Sequence, residues 1–157
     1  MIRFLQVNVA KNLPNVKAAV ELTNGQPVSY DPATGTVNNG RGECAWLVKA
    51  AEVYNGEKAM RMPSDGDFEV IEAGAICHLV PVYAGEHYAT SQVAGFGKGR
   101  EQAALEPGAR IGANGDHFGA KTDGDWILVG EYNDPTGIHM AEIVYDPIKT
   151  AIDGDEA

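Results

Sequence analysis

The stretch WILVGEYNDPTGIHMAEIVY, residues 126–145, carries the clearest β-structure signal in the chain. Its first part, Trp126 to Tyr132, is rich in the aromatic and β-branched residues that favour strands. The segment 133–137, NDPTG, follows; its proline favours the start of a turn and its glycine can adopt a left-handed conformation. Residues 138–145 then return as a second strand. The stretch therefore predicts a long antiparallel hairpin.

Shorter segments of the same kind occur on the N-terminal side of this hairpin, separated by turn residues. Tight turns are predicted at Thr23-Asn24-Gly25-Gln26, where Asn-Gly favours a hairpin, at 31–35, at Ala84-Gly85 and at Asn114-Gly115. Strands are predicted at 2–9, 27–30, 68–71, 76–83, 87–90 and 111–118. About ten short strands with little helix predict an all-β fold, an antiparallel β-sandwich or barrel.

The segment 43–62, ECAWLVKAAEVYNGEKAMRM, allows two interpretations, because residues 44–54 could be helix or strand. Trp46, Ala50, Val53 and Tyr54 would share one face of a helix, and the alanines favour that state. We prefer two strands, because Asn55-Gly56 lies between flanks of similar length and is a strong hairpin signal. In the later strand 76–83, Pro81 cannot donate a hydrogen bond, so we expect an edge position or a bulge there.

Length and charge limit the class of protein. The 157 residues fit one β-rich domain, residues 1–150, followed by an acidic tail, 151–157, that we expect to be mobile. A formal net charge of −10 disfavours binding to nucleic acid. The N-terminal segment lacks the pattern of a secretory signal, and no apolar window approaches the length of a membrane span. We therefore expect a protein made in the cytoplasm, without nucleic acid or membrane partners.

The glycine-rich stretch 105–126 resembles a ligand loop, but its spacing fits none. Gly97-Lys98 is followed by Gly99 where a phosphate-binding loop needs a hydroxyl residue, and GFGKGR does not open a helix after a buried strand. Asp116, Asp123 and Asp125 lack the ligand spacing of an EF-hand calcium loop. We interpret the glycines as turn residues that frame one short strand, 111–118, and expect no cofactor.

The histidines and cysteines also lack a metal or catalytic pattern. His78, His87, His117 and His139 show no HxxxH or HxH pair, although pairing of strands across Ala84-Gly85 could bring His78 close to His87. Cys44 and Cys77 fit neither a zinc knuckle nor a disulfide framework, so we expect buried free thiols. Cys77 and His78 are adjacent and would point to opposite faces of a strand. These patterns predict no metal and no enzymatic activity.

Three phrases, taken in order, resemble a known family: LTNGQPVSYDPATGTV at 22–37, LEPGARIGANGDHF at 105–118 and WILVGEYNDPTGIHMAEIVY at 126–145. Small, acidic, β-rich chains with these features look like the capsid decoration, or cement, proteins of tailed bacteriophages. The resemblance spans most of the chain, concerns the kind of segments and their order, and includes no catalytic motif. It implies a structural protein on the capsid exterior of the virion, produced in the host cytoplasm.

The resemblance also implies partners and a contact region. The partner would be the major capsid protein, and many such proteins form a homotrimer at local threefold axes. Residues 1–20 would be the capsid-binding arm, adding a strand to a neighbouring sheet edge. The alternative is that this segment is an ordinary strand of the domain's own sheet. The candidate capsid-interface residues are Ile2, Phe4, Leu5, Val7 and Val9.

Two other functions fit parts of the sequence. A carbohydrate-binding β-sandwich, serving adhesion to a host surface, would use Trp46, Trp126 and some of the six tyrosines to stack on sugar rings. Both tryptophans could equally be core residues, because large aromatic side chains are mostly buried. A metal-dependent hydrolase built from the histidines and acids is the weakest alternative, since the ligand spacing is missing.

Overall fold

The computed structural model describes residues 2–7, 13–41, 46–50, 70–96, 105–135, 137 and 139–147. These residues contain strands and turns and no helix. The described strands are β1 Ile2–Gln6, β2 Asn15–Ala18, β3 Leu22–Thr23, β4 Val28–Asp31, β5 Thr36–Asn39, β6 Trp46–Ala50, β7 Val70–Ile71, β8 Ile76–Pro81, β9 His87–Thr90, β10 Arg110–Ala113, β11 Phe118–Ala120, β12 Trp126–Asn133 and β13 His139–Tyr145.

The strands form two main sheets and one small one. The first sheet has the order β1-β9-β13-β12-β10-β11 and is antiparallel throughout. The second has the order β4-β5-β2-β8-β6, in which only the β2–β5 pair is parallel. β3 and β7 form a separate antiparallel pair. The predicted all-β, mainly antiparallel sandwich is confirmed.

The two main sheets share one hydrophobic core. Leu47 and Val80 from the five-stranded sheet belong to the same buried cluster as Tyr88, Trp126 and Ile143 from the six-stranded sheet. The next residues along β6 and β8, Val48 and Leu79, lie in a second cluster on the opposite face, with Leu22 and Ile71 of the small sheet. Because side chains alternate across a strand, the five-stranded sheet is buried on both faces.

The five-stranded sheet curves until its outer strands meet. Pro27, at the start of β4, forms an isolated bridge with Leu47 of β6. Val48 N–H donates to the Gln26 carbonyl oxygen at 3.2 Å, and Gly25 N–H donates to the Val48 carbonyl oxygen at 2.8 Å. These bonds satisfy backbone groups that an open sheet would leave unpaired at both edges.

The hairpin of residues 126–145 is confirmed and lies at the centre of the six-stranded sheet. β12 pairs with β13 from Trp126 opposite Tyr145 to Asn133 opposite His139, with a β-bulge between Leu128 and Gly130. Gly137 has φ +89° and donates its N–H to the Asp134 carbonyl oxygen at 2.8 Å. The predicted left-handed glycine therefore closes this turn.

The turns at 23–26 and 84–85 are confirmed, but the hairpins inferred from them are wrong. Gly25 has φ +92°, yet β3 before it pairs with β7 and β4 after it pairs with β5. Across Ala84-Gly85, β8 belongs to the five-stranded sheet and β9 to the six-stranded sheet. The reason is that each turn bonds to a distant strand: Gly25 N–H to Val48, and Gly85 N–H to the Tyr145 carbonyl oxygen at 2.8 Å.

The turn at 31–35 connects a true hairpin, β4–β5. Gly35 N–H donates to the Asp31 carbonyl oxygen at 2.9 Å, and the Asp31 carboxylate accepts from Ala33 N–H at 2.9 Å and from the Thr34 hydroxyl at 3.1 Å. An aspartate that accepts hydrogen bonds from the residues after it is typical turn chemistry. This prediction is confirmed.

The glycine-rich stretch forms two strands, not the single short strand 111–118 that we predicted. Asn114 N–H donates to the His117 carbonyl oxygen at 2.8 Å, so the loop between β10 and β11 is Gly115-Asp116. Gly115, with φ +73°, is the first loop residue, a position at which hairpin turns favour glycine. Asn114 therefore lies directly after β10 and before the two central residues of the turn. The interpretation that these glycines bend the chain is confirmed.

The ambiguous segment 43–62 is a strand where it is described. β6 covers Trp46–Ala50, and residues 51–69, with Asn55-Gly56, lie outside the described residues. Pro81 is the last residue of β8; there it pairs with Trp46 of β6, whereas β2 lies beside residues 76–78 only. Pro81 is thus at a local edge of an interior strand. Cys44, Val9, the segment 97–104 and the tail 151–157 also lie outside the described residues.

Two glycines near β12 provide a matched test of the fold. A Cβ atom on Gly124 would overlap the backbone carbonyl of Ile111 and lie 3.0 Å from the Lys121 carbonyl oxygen, whereas a Cβ atom on Gly130 meets nothing within 4 Å. We expect Gly124→Ala to lower the unfolding free energy by about 2 kcal/mol or more, because backbone must move. Gly130→Ala should change it by less than about 0.5 kcal/mol. Urea unfolding of both variants tests this; equal effects would contradict it.

Candidate interaction surface

β1 is the outermost strand at one edge of the six-stranded sheet. Ile2, Arg3 and Phe4 pair with Thr90, Ala89 and Tyr88 of β9, and a register shift follows before Gln6 pairs with His87. In the described part of the chain β9 is its one sheet neighbour. Residues 2–6 therefore form an ordinary strand of the domain's own sheet, which was the alternative for this segment. No described strand pairs with the opposite edge of β1, and backbone groups at such an edge can pair with an added strand.

The candidate interface residues divide into two groups. Ile2 is 5% exposed within the shared core, and Val7 is partly buried against that core. Phe4 is 36% exposed and Leu5 is half-buried. Val9 lies outside the described residues. Ile2 and Val7 therefore anchor the strand, and Phe4 and Leu5 remain accessible to another molecule.

Phe4 extends an aromatic cluster from the core to the sheet edge. Its ring centroid lies 5.4 Å from that of Tyr88 in an edge-to-face arrangement. The Tyr88 ring in turn lies 6.2 Å from Trp126, which also contacts Phe118 at 5.2 Å and Tyr145 at 5.0 Å. Such pairs add about 0.5–1.5 kcal/mol beyond the area that they bury. The Tyr88 ring thus holds the exposed ring of Phe4 in place from the core side.

An ion pair also holds β1 against the β12–β13 turn. Arg3 Nε donates to Asp134 Oδ1 at 2.8 Å, and Arg3 Nη2 donates to Asp134 Oδ2 at 3.4 Å. The Asp134 side chain is 1% exposed, whereas the Arg3 side chain is 46% exposed. The hydrogen bond to Asp134 raises the pKa of Arg3 above its ordinary value. The hairpin reaches β1 because β9 ends at Thr90, while β12 and β13 continue beyond it.

A buried carboxylate supports the same edge from the core side. Glu86 is fully buried, and its Oε1 accepts from Tyr83 N–H at 2.8 Å and from the Tyr88 hydroxyl at 3.0 Å. Burial, together with the nearby Glu86, raises the pKa of Tyr88 well above its usual range. Tyr88 therefore remains a neutral hydrogen-bond donor and fixes the ring on which Phe4 packs.

The face of the six-stranded sheet opposite to the one that carries Phe4 and Tyr88 is partly exposed beside β1. His87 Nδ1 lies 2.7 Å from Glu142 Oε2, and each side chain is about a quarter exposed, at 27% and 28%. Val129 lies at the β-bulge and is 40% exposed, while Ile127 and Val144 are half-buried. We call the exposed edge of β1 together with this face the β1 surface. It is mixed in polarity, which suits a protein contact.

The described histidines do not assemble into a metal site. His78 and His87 lie in different sheets, so the strand pairing across Ala84-Gly85 that could have brought them together does not form. His117 Nδ1 lies 2.8 Å from Asp116 Oδ1, and His139 Nε2 lies 3.5 Å from Glu131 Oε1. Within the described ranges, no three His, Cys, Asp or Glu side chains are placed to hold one metal ion.

The two tryptophans occupy different environments. Trp126 is 0% exposed and surrounded by aromatic rings, so it cannot stack on a sugar in this fold. Trp46 is partly buried against the second core, and its ring centroid lies 5.8 Å from that of Tyr30. A carbohydrate site would therefore have to use Trp46 without Trp126. The alternative that the tryptophans are core residues is correct for Trp126.

The contacts that fix β1 were not visible in the sequence. Arg3 and Asp134 are separated by 131 positions, and neither belongs to a motif. Glu86 follows a turn glycine and has the local pattern of an exposed residue, although it is fully buried. The local signal was limited to the apolar content of residues 2–9 and the turn at Ala84-Gly85.

Comparison with known proteins adds no family to this picture. No protein-family model matches the chain, and no curated protein matches it. The described residues contain no helix that is long and apolar enough to cross a membrane.

The Arg3–Asp134 pair gives a test of how β1 is held. Arg3→Met should lower the unfolding free energy by about 1–3 kcal/mol, because it removes a charged donor from a buried carboxylate. The matched control is Glu131→Gln, which changes an exposed pair and should cost less than about 0.5 kcal/mol. Urea unfolding gives both values, and hydrogen exchange of the β1 amides should accelerate in Arg3→Met alone. Similar losses in the two variants would contradict the anchoring role.

Cys77 gives a pH-dependent test of the second core. Its thiol is fully buried, and burial raises its pKa from 9.0 to about 11. Between these values the unfolded chain loses the thiol proton and the folded chain keeps it, so stability falls as the pH rises from 9 to 11. The contribution is on the order of 2 kcal/mol.

The measurement compares Cys44→Ser with Cys44→Ser/Cys77→Val, so that only one thiol differs. The unfolding free energy of Cys44→Ser minus that of Cys44→Ser/Cys77→Val should fall by on the order of 2 kcal/mol between pH 8 and pH 11. A stability difference that stays constant over this interval would contradict the buried neutral thiol.

Proposed function

We propose that this chain is a non-enzymatic structural protein that binds the outer surface of an icosahedral phage capsid and stabilises contacts between major capsid subunits. The observation that carries the proposal is the edge position of β1, with one described sheet neighbour and Phe4 36% exposed. The resemblance of the three sequence phrases to decoration proteins supplies the identity of the partner. The two arguments are independent, because one concerns geometry and the other sequence.

In this proposal β1 recruits a capsid segment as an additional strand. Main-chain hydrogen bonds along the free edge would provide affinity, and the side chains of alternate residues would fix the register. Phe4 offers the apolar contact, while Ile2 and the Arg3–Asp134 pair keep the strand in the sheet. The contact residues are therefore fewer than the five expected, because Ile2 and Val7 pack inside the domain.

Stabilisation would follow from mass action. A protein that binds the assembled lattice and not its separated subunits lowers the free energy of the lattice. Many copies on one shell sum modest interfaces, and a homotrimer at a local threefold axis would engage several subunits at once. The formal charge of −10 disfavours nonspecific attachment to nucleic acid released from broken particles.

The experiment uses expanded shells of the major capsid protein encoded in the same genome as this chain. Wild-type protein should co-sediment with these shells at micromolar concentration and raise their disruption temperature. Phe4→Glu should weaken binding by about tenfold or more, since it places a charge in the apolar contact. The matched control, Ile76→Glu, introduces the same charge at a residue that is 54% exposed on β8 of the other sheet, and should bind like wild type.

The possible outcomes test the proposed function and the proposed contact at β1 separately. Absence of wild-type binding would overturn the proposed function. Wild-type binding that both variants retain would place the contact away from β1. The unfolding free energies of the two variants are measured in the same buffer, so that reduced binding is not attributed to unfolded protein.

A further inference from the structure

The chain contains three described Asn-Gly pairs in three different environments. They are Asn24-Gly25, Asn39-Gly40 and Asn114-Gly115. In such a pair the side-chain amide of asparagine is open to attack by the following backbone nitrogen, because glycine has no side chain to block the approach. The local chemistry is the same at each pair, so the fold decides which of them reacts.

The first two pairs are held by hydrogen bonds at the attacking nitrogen. Gly25 is buried, and its N–H donates to the Val48 carbonyl oxygen at 2.8 Å. Gly40 is also buried; its N–H lies within hydrogen-bond distance of the carbonyl oxygens of Pro27, at 3.2 Å, and Gly115, at 3.1 Å. Reaction at either pair requires local opening of the structure, which lowers the rate in proportion to the open population.

The second pair is also restrained at its asparagine. Asn39 Oδ1 accepts from the Gln26 side-chain amide at 2.9 Å, and Gln26 is itself fully buried. A Cβ atom placed on Gly40 would lie 2.9 Å from the Cβ of Ala113, so the backbone here has little room to rotate. The Asn39 amide therefore cannot turn toward Gly40 without breaking its hydrogen bond with Gln26.

The third pair is accessible. Asn114 and Gly115 are both exposed in the β10–β11 turn. Gly115 pairs with Gly40 in an isolated antiparallel bridge, in which the exposed Gly115 offers its carbonyl oxygen to Gly40 N–H at 3.1 Å. The Asn114 side chain lies beside Gly119, and no described group hydrogen-bonds to its amide. Gly115 adopts φ +73°, a conformation that glycine allows at little cost.

We infer that Asn114 is a modification site at which the folded protein deamidates spontaneously. The Gly115 nitrogen attacks Asn114 Cγ and forms a C–N bond, the Cγ–Nδ2 bond breaks, and the displaced proton leaves with ammonia. Water then opens the cyclic imide at either carbonyl, giving aspartate or isoaspartate. Water is the only co-reactant. The inference does not depend on the proposed function.

The product would alter a contact between the two sheets. Isoaspartate inserts one carbon into the main chain between Asn114 and Gly115. That extra atom displaces two hydrogen bonds, Asn114 N–H to the His117 carbonyl oxygen and Gly40 N–H to the Gly115 carbonyl oxygen. Either product also adds one negative charge beside Asp116. Modification at this turn therefore loosens the Gly40–Gly115 bridge between the two main sheets.

The test follows deamidation of the full chain by peptide mass spectrometry at mildly alkaline pH, with and without urea. Trypsin releases residues 111–121, IGANGDHFGAK, in which Asn114 is the only amide side chain. Residues 18–41 carry Asn24 and Asn39, which fragmentation separates, and residues 50–58 carry Asn55. In the folded protein Asn114 should convert at least about tenfold faster than Asn24 or Asn39. In urea the three rates should converge.

The control variant is Asn114→Gln, whose longer side chain disfavours the cyclisation. Its peptide should show no mass increase over the same period, while Asn24 and Asn39 behave as in the wild type. Equal rates at the three sites in the folded protein would overturn the inference. The same ratio of rates in urea would also overturn it, because the preference would then come from the local sequence and not from the fold.

Discussion

The packing of the Trp126 ring between sheets is the constraint on which the rest of the fold depends. Trp126 is fully buried and contacts Tyr88, Phe118 and Tyr145, which lie on three other strands of the same sheet. Leu47 and Val80 of the other main sheet complete the cluster. A side chain of this size fixes the spacing of strands on both sides of the core, because protein interiors tolerate neither voids nor overlap.

The positions of strands and turns could be predicted from the sequence because their causes are local. A left-handed glycine at Gly25, Gly85 or Gly137 satisfies a backbone requirement that spans only a few residues. The partners of the strands could not be predicted in the same way. Gly25 and Gly85 direct the chain into another sheet because their N–H groups bond to Val48 and Tyr145, which no local pattern specifies.

The candidate surface was predicted in part, for the same reason. The apolar residues of β1 identified the strand, but not which of them would remain accessible. That division depends on the partner strand: Ile2 pairs with Thr90 over the core, and Phe4 pairs with Tyr88 at the margin of the core. The ion pair of Arg3 with Asp134 joins residues from opposite ends of the chain and requires the complete sheet before it can form.

An edge strand that recruits a partner must be both firmly held and open, and β1 meets the two requirements with different groups. Its side chains Ile2 and Arg3 are engaged by the core and by Asp134, so ordering the strand is already part of folding the domain. An added strand would then bind to a preorganised edge without the entropic cost of fixing both strands. If β1 were not anchored in the domain, that cost would oppose binding. The anchoring contacts inside the domain therefore favour the proposed contact outside it.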